Sequence, residues 1–284
     1  MYRYTVADVF TDTPLQGNQV AVFTDATGLS TEVMQRAARE LNLSETVFLT
    51  RSSAAGAHLK ARIFTPALEL PFAGHPVLGT AFVVGRSMGS SVVRLETGLG
   101  VVPVTLTRPA GGADPAYGEM DQPIPSVEPF EAVEELLSAL GVSSHGDGLP
   151  IEAYRNGPAH VYVEMPSRDA VAALAPDIGA LARLGEYGIN CFAGAGDRFK
   201  TRMFGPSLGV AEDPATGSAA GPLAVHLARH GRIEFGAQIE IEQGVEIGRR
   251  SLLYAQADGT PDRVERVAVG GSAVIVARGE YRLG

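Results

Sequence analysis

Glu45, His75, Asp213 and Ser218 are the side chains whose types and settings suit proton transfer. Glu45 lies in Leu43-Ser-Glu-Thr-Val-Phe-Leu49. Read as a strand, period two puts it on one face with Leu43, Val47 and Leu49. A carboxylate in an apolar row resists ionisation, which suits it to passing a proton near neutral pH. The alternative is a strand that begins after Glu45, leaving the carboxylate in a solvated loop. His75 follows Gly74 and precedes Pro76 at the head of an apolar run. It can serve there as an acid, as a hydrogen-bond donor, or simply as a cap. Asp213 can accept from a substrate ammonium group or from His75, or it can make an Asx turn before Pro214. Ser218 can cap a helix and bind a ligand at once, because both roles use the same helix end.

These residues sit in two copies of one pattern. Arg62-Ile-Phe-Thr-Pro66 is followed by Phe72-Ala-Gly-His-Pro76 and the run Val77–Val84; Arg202-Met-Phe-Gly-Pro206 is followed by Asp213-Pro-Ala-Thr-Gly-Ser218 and Ala219–His230. Arg62 and Arg202 are 140 residues apart, whereas Gly74-His75 and Gly217-Ser218 are 143 apart, so three residues are inserted in the second copy. A duplicated half with a polar loop in each copy implies one site at the junction of two domains.

The elements that must position these loops are mostly strands. Expected strands are Tyr4–Phe10, Gln19–Phe23, Glu45–Leu49, His58–Phe64, Val92–Glu96 and Val101–Thr107 in the first half. In the second they are Ile151–Arg155, His160–Met165, Ile189–Ala193, Phe199–Phe204, Gln238–Glu242, Val245–Ile247, Ser251–Ala257, Arg263–Val269 and Ala273–Ala277. Ser30 caps a helix striped by Val33, Met34, Ala37, Ala38 and Leu41, which Asn42 ends. A second helix is read over Glu128–Leu140. Val77–Val84 and Ala219–Ala228 are apolar all round and so belong in an interior. Pro76 is placed at a first helical position, with Gly85 and Gly231 at the helix ends. Gly74-His75 and Gly217-Ser218 then fall at helix N-termini, where amides and the helix dipole favour anions. The architecture read from this is α+β: two pseudo-symmetric half-barrel domains, each wrapping a central apolar helix. The boundary lies near the end of the Gly/Pro/Asp-rich stretch Pro109–Pro125, giving domains 1–121 and 122–284, with the last strand free to cross back.

The 284 residues carry a net charge of −9, which disfavours nucleic acid and anionic membranes as partners. The single cysteine, Cys191, permits no internal disulfide and fits a reducing cytoplasm. Without an evident base beside it, Cys191 reads as a packed strand residue. No run approaches the ~20 apolar residues needed to span a bilayer, and Met1–Phe10 reads as a strand rather than a signal peptide. Gly194-Ala-Gly196 lacks the third glycine of a dinucleotide fingerprint. His160, His226 and His230 read as structural, and His58 and His145 carry no signal.

The motifs Gly17-Asn18, Asn42-Leu-Ser-Glu-Thr46, Phe72-Ala-Gly-His-Pro76 and Asp213-Pro-Ala-Thr-Gly-Ser-Ala219 resemble those of the PhzF-like family of phenazine-biosynthesis isomerases. Further similarity runs through Met120–Pro125, Ile189–Gly196, Ala224–Gly231 and Gln243–Gly248, and is weakest at Arg108–Tyr117 and Ser143–Gly148. The resemblance implies the diaminopimelate-epimerase-like fold and a cofactor-independent isomerase of trans-2,3-dihydro-3-hydroxyanthranilate, an amino-acid-like small molecule. It places the family's proton-carrying glutamate on Glu45, its histidine on His75, its aspartate on Asp213 and its serine on Ser218. The amides that hold the substrate carboxylate fall on Gly74 and Gly217. No metal and no cofactor are implied; a homodimer is, with closure of the two halves shutting out water. Related epimerases on this fold use two cysteines, which a chain with one cannot do. An isomerase of another small amino acid, or a non-catalytic binding protein on the same fold, are the competing readings.

Overall fold

The computed structural model describes residues 1–112, 114–143 and 148–283, and His145 lies outside them. The chain forms two compact units, Met1–Asp121 with Gly270–Gly284, and Gln122–Val269.

In the first unit the elements are β1 (Tyr2–Val9), β2 (Asn18–Phe23), α1 (Thr31–Leu41), β3 (Glu45–Thr50), β4 (Leu59–Phe64), β5 (Glu69–Leu70), α2 (Gly74–Met88), β6 (Val92–Thr97), β7 (Gly100–Thr107) and β8 (Tyr117–Gln122). The C-terminal strand Ala273–Tyr281 returns to pair with β1. From β1 the sheet runs antiparallel to β2, parallel to β3, antiparallel to β4, parallel to β6 and antiparallel to β7 and β8. Short β5 pairs with β4. The α2 helix packs on β1, β2, β3, β6 and β7, and residues from Gly74 to Phe82 along it are all buried. On the other sheet face, Met34, Ala37 and Ala38 of α1 pack on Phe23, Phe48 and Phe64.

The second unit contains β9 (Ser126–Pro129), α3 (Val133–Leu140), β10 (Glu152–Arg155), β11 (Ala159–Glu164), α4 (Arg168–Ala172), α5 (Ile178–Ala182), β12 (Tyr187–Ala195), β13 (Arg198–Gly205), β14 (Val210–Asp213), α6 (Gly217–Arg229), β15 (Gln238–Gln243) and β16 (Ser251–Thr260), followed by β17 (Arg263–Gly271). Its pairing repeats the first: β10 antiparallel to β11, β11 parallel to β12, β12 antiparallel to β13, β13 parallel to β15, β15 antiparallel to β16, and β14 on β13. The α6 helix packs on β11, β15 and β16. The opposite face is covered by α3, α4 and α5 around Leu136, Val163, Val171, Cys191 and Phe204.

Four local expectations are corrected. The helix read over Glu128–Leu140 begins only at Val133, because Ser126–Pro129 is a strand paired to β10. Val245–Ile247 is a turn between β15 and β16, set by left-handed Gly244 and Gly248. Pro76 is third rather than first in α2, still among the amides that no helical carbonyl reaches. Gly85 lies inside α2, which ends at Gly89 in the left-handed conformation.

Candidate active site

β3 begins at Glu45 itself, so the carboxylate stands on the strand face that α2 covers and not in a solvated loop. Its Oε2 lies 3.1 Å from His75 Nε2, with the two side chains 13% and 4% exposed. His75 belongs to the first turn of α2. Its Nδ1 lies 3.2 Å from Asn18 Nδ2. An amide nitrogen only donates, so Nδ1 accepts and the proton sits on Nε2. That Nε2–H donates to the Gln19 carbonyl at 3.2 Å. Burial drives the His75 pKa down to about 3, against the pull of the Gln19 carbonyl. A neutral imidazole therefore donates to the Gln19 carbonyl, with the Glu45 carboxylate 3.1 Å from the same nitrogen. The positioning starts at Gly17, whose φ of +67° and absent Cβ (one would lie 2.4 Å from the Val9 carbonyl oxygen) bring Asn18 in beneath the ring.

The second loop is pinned more elaborately. Asp213, at the end of β14, accepts from Thr216 Oγ1 at 2.6 Å. Gln243 donates to the Asp213 carbonyl at 2.8 Å and accepts from the Thr216 amide at 3.2 Å. This ties the loop to the end of β15. Gly217 and Ser218 open α6, and Gln122 Nε2 donates to the Gly217 carbonyl at 2.8 Å. Pro222 lies inside the helix and has no N–H for the Ser218 carbonyl four residues back. Asn156 Nδ2 supplies that bond instead, at 3.0 Å. Neither α2 nor α6 has a side-chain cap, and neither has an acid in its first turn. Both ends keep the positive field that favours an anion.

His160 is a functional candidate that sequence reasoning set aside. It is buried on β11, with Nε2 3.0 Å from Ser218 Oγ and Nδ1 3.4 Å from Asn190 Nδ2. With Nδ1 accepting, Nε2–H donates to Ser218, whose own hydroxyl hydrogen is then available to a ligand. Burial holds the His160 pKa down to about 3. The readable signal was Gly188, opposite His160 in the β11–β12 register, where a Cβ would come within 2.6 Å of the ring.

Within each unit, then, the candidates group as Glu45 with His75, and as Asp213, Gly217 and Ser218 around one loop. Cys191 takes no part. It is fully buried on β12, and burial pushes its thiol up to about 12 despite the Arg202 charge.

Residues 7–279 match the family described as phenazine biosynthesis-like protein (PhzC-PhzF). The chain belongs to the PhzC-PhzF family. Its relatives include the trans-2,3-dihydro-3-hydroxyanthranilate isomerases of Pseudomonas chlororaphis, 53% identical over 98% of this chain and 99% of that protein, and of Pseudomonas aeruginosa, 53% identical over the full length of both. Among solved structures, a PhzF-family protein of Bacillus anthracis superposes with a TM-score of 0.84 at 25% identity, covering 99% of each chain. A probable proline racemase from Agrobacterium radiobacter shares the diaminopimelate-epimerase-like fold, with a TM-score of 0.71 at 11% identity over 100% of this chain and 94% of that one. No helix among the described residues is long and apolar enough to cross a membrane. Gln122 and Gln243 support the loop that bears Asp213 and Gly217 by bonding to its carbonyls.

Proposed function

We propose that this chain is the isomerase of trans-2,3-dihydro-3-hydroxyanthranilate in phenazine biosynthesis, and that Glu45 carries the proton. The observation behind the mechanism is the Glu45 carboxylate facing a buried, neutral His75 at a helix mouth. The substrate class comes from relatives of that name at 53% identity over nearly the whole chain.

The Glu45 carboxylate takes a proton from one ring carbon, and the π electrons shift along the ring. The resulting carboxylic acid returns the proton at another carbon, so no net proton is consumed. His75, its Nε2–H held by the Gln19 carbonyl, packs 3.1 Å from the carboxylate and limits where it can stand. The amides of Gly74 and Gly217, each at a helix N-terminus, hold the substrate carboxylate. Asp213 binds the amine, and Ser218, itself accepting from His160, donates its hydroxyl hydrogen to the substrate. The reading includes the absence of any cofactor in the reaction, a homodimer, and a cytoplasmic setting.

The test is incubation with trans-2,3-dihydro-3-hydroxyanthranilate in D₂O, followed by NMR, beside the Glu45→Gln variant. Turnover by the wild type, with a loss of about 10²-fold or more in the variant, is expected. Retained activity in Glu45→Gln would remove Glu45 from the proton path. A folded wild type that exchanges protons only with other amino acids would move the substrate assignment.

A further inference from the structure

His226 lies in the last turn of α6 and His230, four residues on, is the C-cap, which brings both side chains to one side of the helix end. Glu152 on β10 reaches that side. His226 Nδ1 is 3.2 Å and His230 Nε2 is 2.9 Å from Glu152 Oε2, and the donor atoms of all three residues lie within 4.8 Å of one another. This cluster is at the C-terminal end of the helix. Ser218, in the first turn, is eight residues before His226 and twelve before His230, about 12 and 18 Å along the axis at the helical rise.

We propose that Glu152, His226 and His230 form a binding site for a divalent transition-metal ion of the Zn²⁺ or Co²⁺ kind. Two imidazole nitrogens and one carboxylate oxygen are the donor set such ions take. Bonds of ~2.0–2.2 Å at tetrahedral angles place donor atoms about 3.3–3.5 Å apart. The two separations seen here need to open by only a few tenths of an ångström. His226 is fully buried, whereas His230 and Glu152 are 24% and 16% exposed. The open side gives the ion a way in and leaves a fourth position for water. Tyr154, whose hydroxyl donates to Glu152 Oε2 at 2.8 Å, would orient the carboxylate. Arg229 opposes the ion: its Nη1 is 2.8 Å from the Tyr154 oxygen and 3.5 Å from Glu152 Oε2. A guanidinium there lowers metal affinity until it swings out, which its 28% exposure permits. An ion bound here joins β10 to the end of α6 and takes no part in proton transfer, so the site stands apart from the proposed reaction.

The experiment uses the full chain, stripped with EDTA and titrated with Co²⁺ while the visible absorption of tetrahedral cobalt is followed. Zn²⁺ is then added as competitor. One equivalent of cobalt with intense d–d bands, displaced by zinc, is expected. His230→Gln and Glu152→Gln should each weaken binding about tenfold or more, and Arg229→Gln should strengthen it. Circular dichroism of each metal-free variant checks that it is folded. A folded wild type with no cobalt bands at millimolar Co²⁺ overturns the proposal, as do bands unchanged in His230→Gln. The cluster would then be a hydrogen-bonded network and nothing more.

Discussion

His160, 1% exposed between Asn190 and Ser218, is kept neutral by burial, with a pKa near 3 against an ordinary 6.5. Unfolding restores the ordinary value. Below pH 6.5 the unfolded chain therefore binds a proton that the folded chain refuses. The stability tied to His160 is complete above pH 6.5 and is lost as the pH falls towards 3, at about 1.4 kcal/mol per pH unit. Carboxylates with depressed values act lower down: Glu96, held near 2 first by its Ser52 hydrogen bond, loses its contribution only below its ordinary 4.5. Urea unfolding between pH 6.5 and 4.5 should thus show a slope that His160→Gln reduces by about one proton; an unchanged slope would mean that His160 is protonated in the fold. At this scale Glu45 and His75 were legible because their neighbours in sequence are informative, an apolar alternation and a glycine before a helix. His160 was not, because its partners Ser218 and Asn190 are 58 and 30 residues away.

Pro222 and Asn156 act as a pair across two elements. The proline leaves the Ser218 carbonyl without its helical donor, and Asn156 fills the place at 3.0 Å. Asn156→Ala should cost about 1–3 kcal/mol, the penalty for an unmet buried acceptor. In a Pro222→Ala background the restored amide at 222 can take over, so the same substitution should cost less. A double-mutant cycle in urea checks this, and additive costs would break the link. The repeated arginines give a second contrast. Arg62 and Arg202 each grip a glutamate with two nitrogens, Glu69 at 2.6 and 2.8 Å and Glu212 at 2.7 and 2.9 Å. Each also lies over a phenylalanine two residues on, 5.2 and 4.9 Å from the ring centroid. Their settings differ. Arg202 is buried and also donates to the Leu174 carbonyl at 2.6 Å, whereas the Arg62 pair is 21% and 38% exposed. Arg202→Met should cost about 3 kcal/mol by stranding a carboxylate only 12% exposed, and Arg62→Met no more than about 1 kcal/mol. Equal costs in chemical denaturation would show that the motif, rather than its burial, sets the energy.

The duplication extends further than the motif from which it was read. Lys60 and Lys200 also stand 140 residues apart and pair with Glu96 and Glu246 at 3.2 and 2.8 Å. Glu69 precedes Gly74 by five residues, as Glu212 precedes Gly217, so the three inserted residues lie between Arg202 and Glu212, where the 3₁₀ turn Pro206–Leu208 occurs. Both central helices and most strands were readable, because long buried elements have strong apolar patterns. Strands β5 and β14, two and four residues long, have too little sequence to show a period. The end of β9, Glu128-Pro129, was absorbed into a helix because it opens a run with Glu131, Glu134 and Glu135 that reads as helical until strand pairing overrides propensity. One consequence reaches across the whole molecule. The only thiol in 284 residues is Cys191, buried on β12 and raised to about 12 by desolvation. Alkylation needs the thiolate, and at neutral pH that form is about 10⁻⁵ of the thiol. Iodoacetamide should therefore leave turnover intact under native conditions and label the protein only as it unfolds, so labelling followed by mass spectrometry across a urea series should track the loss of circular dichroism. Rapid native labelling with loss of activity would instead make a cysteine part of the chemistry, which a proton path through Glu45 does not allow.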